Sequence, residues 1–153
     1  MLTQRAALVL MILIWASCDS PTEPVPSNPD NIPVPRKVAE EDYTELTGGL
    51  KYYDFKTGTG DSAATGDILT LHYHGWLTDS TLFDSSYLRD DPYFFRLGIG
   101  AVITGWDLGL PGMRPGGERQ LVIPPELAYG SQGRGPIPAN STLIFEVILL
   151  SID

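Results

Sequence analysis

Within residues 68–77, Leu69, Leu71 and Tyr73 fall on one face of an extended chain and Thr70, His72 and His74 on the other. A period of two over residues 69–74 belongs to a strand that buries one face in a sheet. Four further stretches have the same short, turn-bounded character. They are residues 50–55, closed by Gly58-Thr59-Gly60-Asp61; residues 93–97; residues 119–123, stopped by Pro124-Pro125; and residues 142–150, where Leu143, Phe145, Val147 and Leu149 share a side. The 16 glycines and 13 prolines among 153 residues suit a chain that turns often. One segment departs from this pattern. Val102, Ile103, Trp106 and Leu110 have an approximately helical spacing, Gly105 and Gly109 lower its propensity, and Pro111-Gly112 ends it. The residues therefore predict a β-rich, antiparallel domain with at most one short helix.

The beginning of the chain has a different character. Arg5 precedes an unbroken apolar run over residues 6–16, and Ala16-Ser17 stands immediately before Cys18, the one cysteine of the sequence. This resembles an export signal. Eleven helical residues reach only about 16 Å, roughly half of a hydrocarbon core, which favours a cleaved leader over a permanent span. A cysteine directly after a small pair also resembles the lipobox of bacterial lipoproteins, although Trp15 stands where an aliphatic residue is usual. Cys18 is thereby expected to be acylated and to anchor the protein to a membrane of the bacterial cell envelope after loss of residues 1–17. Six prolines follow within residues 21–35, among Ser, Asn, Asp and Thr, a composition that builds no core. Residues 18–47 are expected to be the anchor cysteine and a Pro-rich acidic linker spanning roughly 30–90 Å. Residues 48–153 are expected to form a single domain.

Several function classes drop out. A formal net charge of −9 without clustered Lys or Arg excludes a nucleic-acid partner. His72 and His74 have the spacing of two metal ligands, but no third of the right kind accompanies them, so no metal is expected. Gly58-Thr59-Gly60 and Gly98-Ile99-Gly100 lack the lysine or following helix of a phosphate loop and read as turns.

Five motifs remain, in this order: Leu71-His72-Tyr73-His74-Gly75-Trp76-Leu77, Phe83-Asp84-Ser85-Ser86, Val102-Ile103-Thr104-Gly105-Trp106-Asp107, Ala128-Tyr129-Gly130 and Leu143-Ile144-Phe145-Glu146-Val147. In order and spacing they resemble the FKBP family of peptidyl-prolyl cis-trans isomerases, from about Gly48 to the C-terminus. Several separated motifs in the right order are far more specific than one short match. The resemblance implies an α+β fold, a curved antiparallel β-sheet wrapped around one short α-helix. It also implies an activity, acceleration of rotation about X-Pro bonds, here in exported or envelope proteins.

Such chemistry breaks no covalent bond and needs neither nucleophile nor cofactor. It needs an apolar hollow for the proline ring and a few fixed donors for the carbonyls. By the resemblance, Trp106 is the floor of that hollow, with Tyr73, Phe83, Val102, Ile103 and Phe145 as walls. Tyr129 is the hydroxyl that donates to a substrate or inhibitor carbonyl, and Asp84 is the pocket carboxylate, with Arg89 placed to pair with it. Tyr93 takes a usual Phe position, and Ile137 that of a loop aliphatic that packs over the ligand. The implied catalytic set is thus Tyr73, Phe83, Asp84, Trp106, Tyr129 and Phe145, and the substrate-binding set Arg89, Tyr93, Val102, Ile103 and Ile137. Taken singly, the aromatic residues read as core, Asp84 as a turn residue and Arg89 as a surface partner of Asp90 or Asp91. Their joint order is what raises them. Two positions depart from the family pattern: Ala101 replaces a frequent Glu, and the loop 131–138 is one residue short, with Arg134 in place of a frequent His.

The implied partners are proline-containing polypeptides, with macrolide inhibitors as candidate ligands. The alternatives are a non-catalytic proline-binding chaperone that uses the same pocket, or an envelope interaction module docked to a fixed partner. Retention of Tyr73, Asp84, Trp106, Tyr129 and Phe145 favours catalysis.

Overall fold

The computed structural model describes residues 33–153. Seven strands, β1 (Thr44–Glu45), β2 (Lys51–Lys56), β3 (Ile68–Leu77), β4 (Leu82–Ser85), β5 (Tyr93–Arg96), β6 (Glu118–Ile123) and β7 (Leu143–Ile152), form one antiparallel sheet. Its order is β1-β2-β6-β7-β3-β4, and β5 pairs with β3. The α-helix of the described residues is α1 (Thr104–Gly109).

The strand predicted most clearly is the spine. β3 pairs with β7 along its length, from Leu69↔Ile152 to Leu77↔Leu143. Its other edge is shared end to end: β5 takes Ile68 to Leu71, and β4 takes His74 to Trp76. The connection between β4 and β5 therefore leaves that edge midway and carries Arg89 with it. β4 was not expected as a strand. Four residues are too few to show a period, and β4 is a strand because β3 offers it a free edge.

The inner face carries Leu69, Leu71 and Tyr73 of β3, Leu121 and Ile123 of β6, and Leu143, Phe145, Val147 and Leu149 of β7, all buried in one core. α1 lies on this face. A Cβ on Gly105 would fall 2.4 Å from Ile123 Cγ2, and one on Gly109 would fall 2.7 Å from Leu121 Cδ2. The glycines that weaken the helix are thus what let its backbone approach β6 so closely. α1 is shorter than the predicted span, because Ile103 is extended (φ −61°, ψ 147°) and delivers the chain to the helix from outside.

The outer face is less exposed than the alternation predicts. His74 and Trp76 are buried there too. Tyr87 stacks on both His72 and His74, at 4.4 and 4.6 Å between ring centroids. The rest of the cover comes from residues 33–43, which lie against the sheet although a free spacer was expected over 18–47. Trp76 Nε1 donates to Pro33 O (2.7 Å), and Arg36 binds Glu146 through its backbone N–H (2.6 Å) and Nε (2.9 Å). Arg36 also reaches Glu118 (2.9 Å) and lies 3.5 Å from the Phe55 ring centroid. Gln120 donates to Arg36 O and to Glu146, and accepts from Tyr43. The segment then adds β1 to the edge of β2. Packing on the sheet therefore extends upstream of Gly48. The leader and the anchor cysteine expected at residues 1–18 lie outside the described residues; within them, no helix is long and apolar enough to cross a membrane.

Candidate functional site

A cavity of about 750 Å³ opens between α1, the inner face of β3, β4 and β7, and the loops at that end of the sheet. Trp106, in the first turn of α1, lines it while being only 4% exposed. Its ring stands nearly perpendicular to Tyr73 and to Phe145, each at 5.2 Å between centroids. Phe95 lies at 5.6 Å and Tyr93 at 6.2 Å. These tilted and edge-on contacts seat the indole by shape. Its Nε1 finds no hydrogen-bond partner among the described residues, whereas Trp76 Nε1 is bound to Pro33.

Phe83 and Phe145 form one wall, edge to face at 5.5 Å. They converge beside Gly75, where a Cβ would lie 2.8 Å from both rings, so the strand must present a bare backbone there. Val102 and Ile103, immediately before α1, line the cavity as well. Tyr129 follows the short 3-10 turn Pro125–Leu127 and also lines the cavity, with the Arg134 guanidinium 5.6 Å from its ring centroid.

Three polar residues of the lining, Tyr73, Asp84 and Arg89, form a closed network. Asp84 Oδ2 accepts from the Tyr73 hydroxyl (2.5 Å), and Asp84 Oδ1 accepts from Arg89 Nη1 and from Ser85 N (2.8 Å). Arg89 Nη2 donates back to the Tyr73 oxygen (3.0 Å). Burial presses hardest on Asp84 and disfavours its charge, yet the hydrogen bonds from Tyr73 and Arg89, with the charge of Arg89, hold its carboxyl below the usual range. Burial first, and the bond to Asp84 second, push the Tyr73 phenol up to about 12. The hydrogen bonds that Arg89 donates to Tyr73 and Asp84 raise it above the ordinary guanidinium range.

Tyr73, Phe83, Asp84, Arg89, Tyr93, Val102, Ile103, Trp106, Tyr129 and Phe145 are thus gathered around one cavity. Ile137 is not among them. It is buried in the core at 7% exposure, and its backbone exchanges two 2.9 Å hydrogen bonds with Arg134. That tight turn tucks the isoleucine under the loop and leaves Arg134 at the cavity. Gly100, Ala101, Thr104 and Ala128 line it as well. Such small residues have no chemical signature in a sequence; their proximity to Val102, Trp106 and Tyr129 was the available signal.

Comparison with known proteins agrees with this geometry. The family described as FKBP-type peptidyl-prolyl cis-trans isomerase matches residues 60–150. The FK506-binding protein of Neisseria meningitidis serogroup B is 50% identical over 106 residues, 69% of this chain and 97% of that protein. The peptidyl-prolyl cis-trans isomerase FKBP15-2 of Arabidopsis thaliana is 48% identical over 114 residues, 73% of this chain and 68% of that one. The crystal structure of FkpA from Escherichia coli superposes with a TM-score of 0.70 at 43% identity, over 74% of this chain and 53% of FkpA. A sheet of seven strands with one short helix, a cavity over the helix and relatives of this similarity converge on one assignment: the chain belongs to the FKBP-type peptidyl-prolyl cis-trans isomerases, a family of enzymes.

Proposed function

We propose that the cavity over Trp106 holds the prolyl ring of a polypeptide while the preceding amide turns. The observation that carries this is the cavity's division of labour: an aromatic floor and wall from Trp106, Phe83 and Phe145, and one self-satisfied polar cluster at Asp84. The planar amide resists rotation by about 18–20 kcal/mol through resonance. A twisted amide has a less polar carbonyl and is less dependent on water, so an apolar enclosure favours it over the planar form. A thousandfold acceleration requires about 4 kcal/mol, comparable with a few hydrogen bonds plus burial of one ring. The Tyr129 hydroxyl supplies a donor to a substrate carbonyl. Asp84, already paired, fixes the Tyr73 ring and the Arg89 loop and leaves the nucleophile-free chemistry undisturbed.

The full-length protein should accelerate cis-trans exchange in a proline peptide, and the pair Trp106→Ala and Phe145→Ala should remove most of that acceleration. Equal rates with and without the wild-type protein would leave only a binding module. The family binds FK506-type ligands, and the same cavity takes a macrolide of that class here, with one polar contact fewer because position 101 is Ala.

The clients are exported proteins, and Cys18 is the lipid-bearing residue that keeps the enzyme at an envelope membrane. The small pair Ala16-Ser17 before Cys18 and the apolar run over residues 6–16 support this. Fractionation of cells should find the wild-type protein with membranes and Cys18→Ala in the soluble fraction. A wild-type protein that is already soluble defeats the anchor.

A further inference from the structure

We propose that Arg119 is a positioning residue for the pocket: its guanidinium fixes the C-terminal end of α1, and through that helix the seat of Trp106. This rests on the reading of Trp106 as the floor for the prolyl ring.

Arg119 lies on β6, is only 6% exposed and does not line the cavity. It sits directly across from Asp54 on β2. Asp54 receives it as a fork, Oδ1 from Nε at 2.6 Å and Oδ2 from Nη2 at 2.8 Å, and the guanidinium lies 4.2 Å from the Tyr52 ring centroid. Held in that plane, Nη1 has one direction left. It donates to Gly109 O (2.8 Å) and to Pro111 O (3.1 Å), the last residue of α1 and the second residue beyond it.

That contact matters because α1 cannot hold itself. It has six residues, two of them glycine, and no side-chain cap at its N-terminus. Helices of such length are not stable alone, and their terminal carbonyls require outside donors. The glycine contacts with Ile123 and Leu121 set how close the helix lies to β6. Arg119 then supplies hydrogen bonds to the end of the helix. The turn it binds is the one that Trp106 closes, since Leu110 N donates to Trp106 O at 3.0 Å. The indole has no hydrogen bond of its own among the described residues, so its place is set by the rings packed around it and by the helix backbone that carries it. A lysine at 119 keeps the charge but has its three donors on a single nitrogen, so it cannot form the fork and reach both carbonyls together.

The test compares full-length Arg119→Lys and Arg119→Met with Arg36→Ala, which breaks the ion pairs with Glu118 and Glu146 on the outer face, away from α1. Each protein is assayed for X-Pro exchange well below its own Tm, and the near-UV circular dichroism band of Trp106 is recorded, identified by its loss in Trp106→Phe. Small displacements of a positioning group cost up to about 100-fold in rate, and we expect kcat/KM of Arg119→Lys to fall about tenfold, with an altered Trp106 band. Arg36→Ala should stay within about twofold of wild type, with that band unchanged. If Arg119→Met does not fold, Arg119→Lys decides. An Arg119→Lys protein with the kcat/KM of Arg36→Ala overturns the proposal. If the wild type itself gives no acceleration, the pocket reading fails instead, and the Trp106 band alone then decides: altered in Arg119→Lys it supports the role of Arg119, unaltered it overturns it.

Discussion

Asp84 is pulled in two directions, and the outcome sets the pH behaviour of the site. Burial opposes its charge, but the donors Tyr73 and Arg89 prevail, so its pKa in the folded protein lies below the ordinary 3.8. The stabilisation from this carboxylate is present above its unfolded pKa and is lost as pH falls through the lower, folded value. Tyr73 is pushed up to about 12 and Arg89 is raised, so both keep their neutral-pH charge states well into alkali. None of the three changes charge between about pH 5 and 9, and the exchange rate should therefore be flat across that window. A bell-shaped profile there would place a titrating group in the reaction. The identities in this cluster were legible because an acid, a tyrosine and an arginine recur at family spacing. Ile137 lies off the cavity lining because its position depends on a backbone turn, 134–137, whose hydrogen bonds no side-chain identity announces.

At the scale of elements, β3 shows what a period reveals and what it conceals. Alternation identified the strand and its inner face, since Leu69, Leu71 and Tyr73 all enter the core. It could not show that the second face is covered, because the cover comes from Tyr87 and from residues 33–36, distant in sequence. The hidden consequence is His74. Burial, with the charge of His72 second, lowers its pKa, and its Nδ1 has no partner among the described residues. The unfolded chain, with His74 near 6.5, therefore takes up the proton first, and stability present above that pH is lost as pH falls below it. Tm should drop between about pH 7 and 5, and His74→Gln should flatten the drop, a comparison that thermal unfolding at several pH values decides. An identical slope in both proteins would assign the acid sensitivity elsewhere.

Across the whole molecule, the least legible feature is where the folded unit starts. The prolines of residues 21–35 argue against a core, and among the described residues none between Pro33 and Gly49 is fully buried. Docking is instead polar, through Arg36, Gln120, Glu146 and Tyr43, and hydropathy is blind to it. Chains beginning at Gly48 and at Pro33 should therefore differ in stability more than in activity. Without the segment, Glu146, 5% exposed, loses its arginine, Gln120 loses two partners and Trp76 Nε1 loses its acceptor. Breaking a buried ion pair costs about 3–5 kcal/mol. Arg36 is itself a quarter exposed, which places the expected loss at the lower end, about 3 kcal/mol, measured as the shift in urea unfolding. The cavity lies on the opposite face, so the shorter chain, wherever it is folded, should keep the exchange rate of the longer one. Equal unfolding midpoints would mean that the segment merely rests on the sheet. A lost rate with folding intact would mean that the two faces of β3 are coupled, and that the pocket depends on a strap it never touches.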